Sequence, residues 1–301
     1  MKKENSIKIG LIQSSCVEDT ETNFNNTLCY IEQLIDDKVN IICTQELFTT
    51  LYFCQTQRTE FFQLAEELNE KNDRVKRLSK IAKKNKVVII ASFFEKRSEG
   101  LYHNTAVVFD ADGTILGKYR KMHIPDDPHF NEKFYFTPGD TGYKVFRTKY
   151  APVGVLICWD QWFPEAARIT SLKGAKILFY PTAIGWLPSE KKEYGKKQHN
   201  SWEIIQRSHA IANGVFVASI NRTGYEKFPE FNEGIEFWGS SFICDPYGEI
   251  ICKAPVNKDS IISTTIDLSM VEEKRNIWPF LRDRRIDSYS EILERFVDEK
   301  E

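Results

Sequence analysis

APVGVLICWDQWFPEAARITSLKGAKILFYPT, residues 151–182, holds two elements of one kind around one of another. APVGVLIC is an apolar run that reads as a strand, and AKILFYPT is a second. Between them PEAARITSLKG reads as a helix with clear punctuation. Pro164 falls in the first turn with Glu165 beside it, Lys173 in the last turn and Gly174 just past the end. Strand, helix, strand with little polar alternation is the signature of a parallel sheet covered on both faces. Cys158 sits where the first run turns polar and aromatic. A cysteine there is either a small buried hydrophobe or a nucleophile held where a strand opens into a site. The residues alone leave both readings open.

The same order occurs earlier in the chain. IKIGLIQ (7–13) reads as a strand, and Phe24, Leu28, Ile31 and Ile35 mark a helix. VNIICTQE (39–46) reads as a strand, 60–85 as helical, and VVIIASFFE (87–95) as a strand. Residues 103–121 form a hairpin turning at Asp112-Gly113. After residue 182 come a helix over 198–214, a strand VFVASINRT, a hairpin turning at Pro246-Tyr247-Gly248, and a last strand SIISTTIDL. Each half is thus two βα units followed by antiparallel strands. Two such layers packed together give an α/β fold of the αββα type. No Ser/Gly/Pro-rich linker separates the halves, so residues 1–301 are expected to form a single domain with a C-terminal arm or helix over about 270–301. WPFLRDRRIDSYSEILERF (278–296) is expected to supply an amphipathic helix, for a subunit contact or for packing on its own domain.

Bulk properties exclude several classes. Net charge is −2 over 301 residues, so no general affinity for nucleic acid is implied. No apolar run reaches membrane-spanning length, and the N-terminus lacks a secretory apolar core. The seven cysteines are scattered without CxxC spacing, which points to a reduced, cytoplasmic protein. The five histidines form no metal-ligating pattern, and neither a metal nor another cofactor is expected.

Three ionisable residues end apolar strands: Glu46 in NIICTQELF, Lys121 in GKYRKMHIP, and Cys158. Their chemistry is complementary. A free thiol is only a few per cent thiolate at pH 7, roughly. A neighbouring carboxylate can take its proton, and an ammonium favours the charged sulfur. Lys121 and the Trp159 backbone N–H could hold the oxyanion formed when sulfur attacks a carbonyl, and one such donor is worth about 3–4 kcal/mol. Cys16, Cys29, Cys43, Cys54, Cys244 and Cys252 are read as structural.

TQELF, GKYRKMHIP and GVLICWDQWFPEAAR together resemble the nitrilase superfamily of carbon–nitrogen hydrolases over nearly the whole chain. The resemblance implies a four-layer αββα sandwich, a homodimer or larger assembly, and a Glu46–Lys121–Cys158 triad, which favours the nucleophile reading of Cys158. Glu132, in HFNEKFYFTPGD, matches an additional active-site carboxylate. HIPDDPHFNEKFYFTPGDTGYKVF, LFYPTAIGW and WGSSFICDPYGEI resemble the group that hydrolyses N-carbamoylputrescine in polyamine synthesis. That implies a carbamoyl amine as the small-molecule partner, with β-ureidopropionase-like or other aliphatic N-carbamoyl hydrolysis as the alternative, and a non-catalytic binding protein as a remote one. A distal ammonium needs an acidic anchor; Asp126, Asp127, Asp160, Glu190 and Glu193 lie in flanking loops, and Glu190 is the preferred candidate. Leu187 departs from the group pattern where an acid is expected. Phe130, Phe134, Tyr135, Trp159, Trp162 and Trp186 are expected to wall the site. His123 and His129 offer a rival Cys–His scheme.

Overall fold

The computed structural model describes residues 5–298. Two six-stranded sheets face each other. The first sheet has the order β15-β1-β2-β3-β4-β5 and the second β14-β13-β10-β8-β7-β6. In the first are β1 (Ser6–Gln13), β2 (Ile41–Thr44), β3 (Val88–Ser98), β4 (Leu101–Phe109), β5 (Ile115–Arg120) and β15 (Ser260–Asp267). The second holds β6 (Val145–Arg147), β7 (Pro152–Val155), β8 (Ile177–Thr182), β10 (Phe216–Asn221), β13 (Phe242–Cys244) and β14 (Ile250–Lys253). A small third sheet joins β9 (Gly185–Trp186), β11 (Thr223–Glu226) and β12 (Ile235–Trp238) in the order β11-β12-β9.

The self-similarity reaches further than the sequence order implies. Strands β1, β2 and β3 run parallel, as do β7, β8 and β10. Each trio continues into an antiparallel hairpin, β4–β5 or β13–β14. An antiparallel edge strand closes the other side of each: β15 beside β1, and β6 beside β7. The last strand of the chain therefore returns to the first sheet.

Strand periodicity explains the four layers. Ile9, Leu11, Ile41, Cys43, Val88, Ile90, Ala106 and Val108 join Val153, Val155 and Ile177 in the core shared by the sheets. The alternate residues Ile42, Ile89, Ala91, Val107 and Phe109 pack under α1 (Thr20–Asp36) and α2 (Asp73–Asn85). Helices α4 (Pro164–Leu172) and α5 (Pro188–Asn213) cover the second sheet through Ala166, Ala167, Trp202 and Ala210.

Three expected elements change. Residues 60–85 are not one helix: a 3₁₀ turn over Thr59–Leu64 is followed by an extended stretch, and α2 starts at Asp73. The break is the Asn72 cap, whose side chain accepts from Val75 N–H at 3.0 Å. Helix α5 begins ten residues before the expected 198, with Pro188 in its first turn. Its polar opening SEKKEYGKKQ has no apolar stripe to announce it, yet consists largely of good helix formers. At the C-terminus α6 (Ser269–Ile277) forms, but the amphipathic helix expected within 278–296 does not. Two 3₁₀ turns, Ile286–Ser288 and Ser290–Leu293, replace it, and Leu293 is 87% exposed. An isolated helix of that length is marginal in water, and here Ile286, Leu293 and Phe296 stay largely exposed, while Tyr289 and Ile292 border a groove against α4 and α5.

Gly154 shows how closely α4 lies on β7. A Cβ there would come within 2.3 Å of Thr170 Cγ2 and 2.8 Å of Leu178 Cδ2. Gly154→Ala should lower unfolding stability by about 1–3 kcal/mol through overpacking, read from the urea midpoint. An unchanged midpoint would mean the helix is not held so tightly.

Candidate active site

The three ionisable residues lie just past strand ends, on elements from both sheets. Glu46 follows β2, Lys121 follows β5 directly, and Cys158 follows β7. Cys158 opens a 3₁₀ turn (Cys158–Trp162) with φ of 43°, a left-handed conformation uncommon for a side chain of this kind. The turn ends the strand three residues short of the cysteine and projects it out of the sheet. Leu47, next to Glu46, is also left-handed at φ 49°. Gly139 N–H donates to Lys121 O at 2.8 Å, and a Cβ on Gly139 would meet Arg120 O at 2.1 Å. Only glycine permits the loop to cross the strand end so closely.

Lys121, Glu46 and Glu132 are fully buried. The Lys121 ammonium donates to Glu132 Oε2 at 2.6 Å and to Glu46 Oε1 at 2.9 Å. Asn104 Nδ2 donates to the same Glu46 oxygen at 2.7 Å, and Tyr52 O–H donates to Glu132 Oε1 at 2.6 Å. Among the described residues, Glu46 Oε2 has no hydrogen-bond partner. One oxygen of Glu46 is thus fixed and the other is available.

The electrostatics fit a base-assisted thiol. Burial pushes the Cys158 thiol well above its ordinary range; Glu46 adds to this and Lys121 opposes it. A thiol held in that range needs a base to take its proton before its sulfur can act as a nucleophile. Burial alone would lower the Lys121 pKa, but Glu132 and Glu46 outweigh it and hold the side chain cationic. Glu132 is pushed up to about 7, by burial first, with Lys121 opposing and Glu46 adding. Two carboxylates around one ammonium leave surplus negative charge, so one of them binds a proton readily.

Cys158 lines a cavity of about 580 Å³. Phe130, Trp159, Trp162, Leu187 and Trp238 supply apolar wall, and Asp127, Glu190, Tyr194, Lys197 and Gln198 supply polar groups. Glu190 and Phe130 are where the sequence reading expects them. Trp186 is not: it is buried behind the wall, donates Nε1–H to Gly195 O at 2.9 Å and packs on Trp238. Asp126 is exposed outside the cavity, and its neighbour Asp127 lines it instead. Glu193 points to solvent, and Asp160 is buried with its carboxylate already engaged. Tyr135 packs beneath the site with Phe53, while Phe134 lies on the surface. His123 binds Asp160 and His129 packs on Phe231, so neither lines the cavity as a Cys–His scheme requires.

Several contributors escape sequence reading. Asn104 and Tyr52 lie in apolar segments with no local sign of a carboxylate partner. Arg222, fully buried, donates to the carbonyls of Leu47 at 2.9 Å and Glu46 at 3.1 Å, and to Glu226 Oε1 at 2.7 Å. It clamps the left-handed turn that carries Glu46. The opening of α5, which brings Glu190, Lys197 and Gln198 to the cavity, looks like a solvated loop in the sequence. Among the described residues, no cluster of three His, Cys, Asp or Glu side chains could hold a metal ion, and no helix is long and apolar enough to cross a membrane.

The family profile described as carbon-nitrogen hydrolase matches residues 8–276. The chain belongs to the carbon–nitrogen hydrolase family of the nitrilase superfamily. It is a hydrolase acting on carbon–nitrogen bonds. It is similar to the N-carbamoylputrescine amidase of Arabidopsis thaliana, 44% identical over 97% of this chain and 96% of the relative. A citrullinase of Francisella tularensis is 42% identical over 97% of this chain and 99% of the relative. The crystal structure of a carbon-nitrogen hydrolase from Helicobacter pylori G27 superposes with a TM-score of 0.93 at 48% identity, covering 97% of this chain and 100% of that one.

The raised Glu132 pKa has a measurable consequence. Between its ordinary value of 4.5 and about 7 the folded chain holds a proton that the unfolded chain releases. The stability this group contributes is present below pH 4.5 and is lost as pH rises through about 7. Glu132→Gln removes the titration. The difference in urea midpoint between wild type and Glu132→Gln should therefore change across that window, with wild type losing ground as pH rises. A constant difference from pH 4.5 to 8 would contradict the shift.

Proposed function

We propose that the chain hydrolyses the ureido carbon–nitrogen bond of N-carbamoylputrescine, giving putrescine, carbon dioxide and ammonia. The observation that carries this reading is the buried Lys121 bridging Glu46 and Glu132 beside a thiol that lines a cavity with two acids, Asp127 and Glu190. The high similarity to a relative of that activity supports it.

Glu46 takes the Cys158 proton on its unpartnered Oε2, and the sulfur attacks the ureido carbon. Lys121 and the Trp159 N–H stabilise the oxyanion. Protonated Glu46 then delivers its proton to the departing nitrogen, leaving a carbamoyl thioester on Cys158. Glu46 next activates a water molecule, which releases the carbamoyl group and restores the thiol. Glu132 keeps Lys121 charged and aimed. A ureido carbonyl is a weak electrophile because both nitrogens donate into it, so the aromatic wall matters by excluding water.

The distal ammonium is read by Glu190 and Asp127, in place of the acid that Leu187 displaces. Lys197 favours a second reading. Its ammonium lies 5.7 Å from the Tyr194 ring centroid, on the cavity wall. A ureido α-amino acid such as citrulline differs from N-carbamoylputrescine by one carboxylate on the carbon that bears the amine, and Lys197 is placed to meet it. We further propose that the enzyme works in the cytoplasm as a homodimer or larger assembly, the exposed apolar arm after Trp278 being the surface most in need of cover.

Ammonia release from N-carbamoylputrescine, citrulline and N-carbamoyl-β-alanine tests the assignment, with Cys158→Ala as control. The amine should be preferred, and Cys158→Ala should lose at least about 10³-fold in kcat. Normal turnover by Cys158→Ala would end the scheme; preference for either acid would end the amine assignment. Glu190→Gln should raise KM for the carbamoyl amine with little change in kcat. An unaltered KM would remove Glu190 from the ammonium site.

A further inference from the structure

Asp160 is fully buried two residues after the cysteine, and its carboxylate is saturated. Oδ2 accepts from Ile157 N–H at 2.8 Å and from Tyr119 O–H at 2.7 Å. Oδ1 accepts from His123 N–H at 3.0 Å and from His123 Nδ1 at 2.7 Å. An ionised carboxylate only accepts, so the ring nitrogen is the donor. The His123 ring lies flat on Phe163, with centroids 3.7 Å apart and planes 5° from parallel.

The positions of these partners matter more than their number. Ile157 and Asp160 bracket Cys158 on the turn that leaves the second sheet. Tyr119 and His123 bracket Lys121, two residues to either side, where the chain leaves the first sheet. One carboxylate therefore ties both flanks of the lysine to both flanks of the cysteine. The sheets otherwise meet there through apolar side chains, which resist sliding far less specifically than directed hydrogen bonds do. The left-handed turn at Cys158 is also restrained by the same group: Asp160, within the turn, accepts the Ile157 N–H and is itself held by Tyr119 and His123, where the chain leaves the other sheet.

We propose that Asp160 is the positioning residue that sets the distance and orientation of Cys158 relative to Lys121. It rests on the proposed roles of Cys158 and Lys121. It touches no substrate; it acts by registering one sheet's nucleophile turn against the other sheet's cation. The effect belongs to the chemical step, because the walls that hold the rest of the substrate are built from other residues.

Asp160→Asn is the discriminating substitution. Each carboxylate oxygen accepts from one backbone N–H, that of Ile157 or that of His123. Whichever way the amide is turned, its NH₂ faces one of them. The flank of either Cys158 or Lys121 must then shift, and a displacement near 1 Å can cost about 10²-fold in rate. The expected result is a fall in kcat of about 10–100-fold with KM within about threefold of wild type. Chloroacetamide alkylation of Cys158, followed by peptide mass mapping, should slow in parallel, and the pH profile of that alkylation should move. Tyr119→Phe, which deletes a single hydroxyl, should reproduce a smaller loss, and the double variant should lose less than the product of the two. If Asp160→Asn does not fold, Tyr119→Phe carries the test by the same readouts.

A merely structural role would lower the melting temperature while leaving kcat per titrated active site, the alkylation rate and its pH profile unchanged. That result overturns the proposal. Cys158→Ala keeps the two readings apart. If it is inactive while Asp160→Asn turns over normally, only the positioning role fails. If it is active, the nucleophile assignment itself fails.

Discussion

Everything at the centre of this molecule is arranged around one buried ammonium. Lys121 has no access to solvent and is kept charged by two carboxylates, one from each side. A lone buried cation would lose its proton; here the two carboxylates outweigh burial and hold the ammonium charged. The arrangement carries one carboxylate too many for neutrality, and the Glu132 pKa is raised to about 7 by burial, with Lys121 opposing and Glu46 adding. Burial also explains why the cluster sits between the sheets. Only there can side chains from just past the ends of β2 and β5 meet one from α3 (Glu132–Tyr135) beyond the reach of water.

The second constraint is backbone geometry. Glu46 and Cys158 both adjoin left-handed residues, Leu47 and Cys158 itself. Each turn has a charged anchor of its own. Arg222 holds the carbonyls of the Glu46 turn, and Asp160 holds the N–H group before Cys158. Fold and site are coupled in this way: the buried polar network that joins the layers also sets how Glu46 and Cys158 are presented.

The cavity mouth is built on a different principle. Its floor and walls are aromatic and fixed, whereas its charged groups stand on the exposed opening of α5 and on the loop at Asp127. Selectivity among ureido compounds is thus separated from the reacting centre. Acids and a lysine on a solvated helix can change without disturbing the buried cluster. Relatives of similar identity named for an amine and for an amino-acid substrate are consistent with such a division.

Much of this was legible in the residues. Apolar strands, the Pro164 and Gly174 punctuation and the two hairpin turns declare an α/β layered fold, because period and turn chemistry are local properties. The Glu46, Lys121 and Cys158 contexts are also local, each a strand end with an ionisable residue. What the sequence did not disclose depends on partners distant along the chain. The return of β15 to β1, the Asn104 and Tyr52 donors, the Arg222 clamp and the Asp160 tie are pairings between residues 37 to 176 positions apart, or further still for β15 and β1, that no period announces. Trp186 and Asp126 were misplaced because proximity in sequence to a site does not fix which way a side chain turns. The opening of α5 and the missing helix of the C-terminal arm went astray in opposite senses. In the first, a packed helix extends beyond its apolar stripe; in the second, most of the apolar stripe stays exposed and does not hold a helix. Local sequence determined the elements and the chemical types at their ends; tertiary packing alone decided which of those groups meet, because burial is a property of the assembled layers and not of any segment.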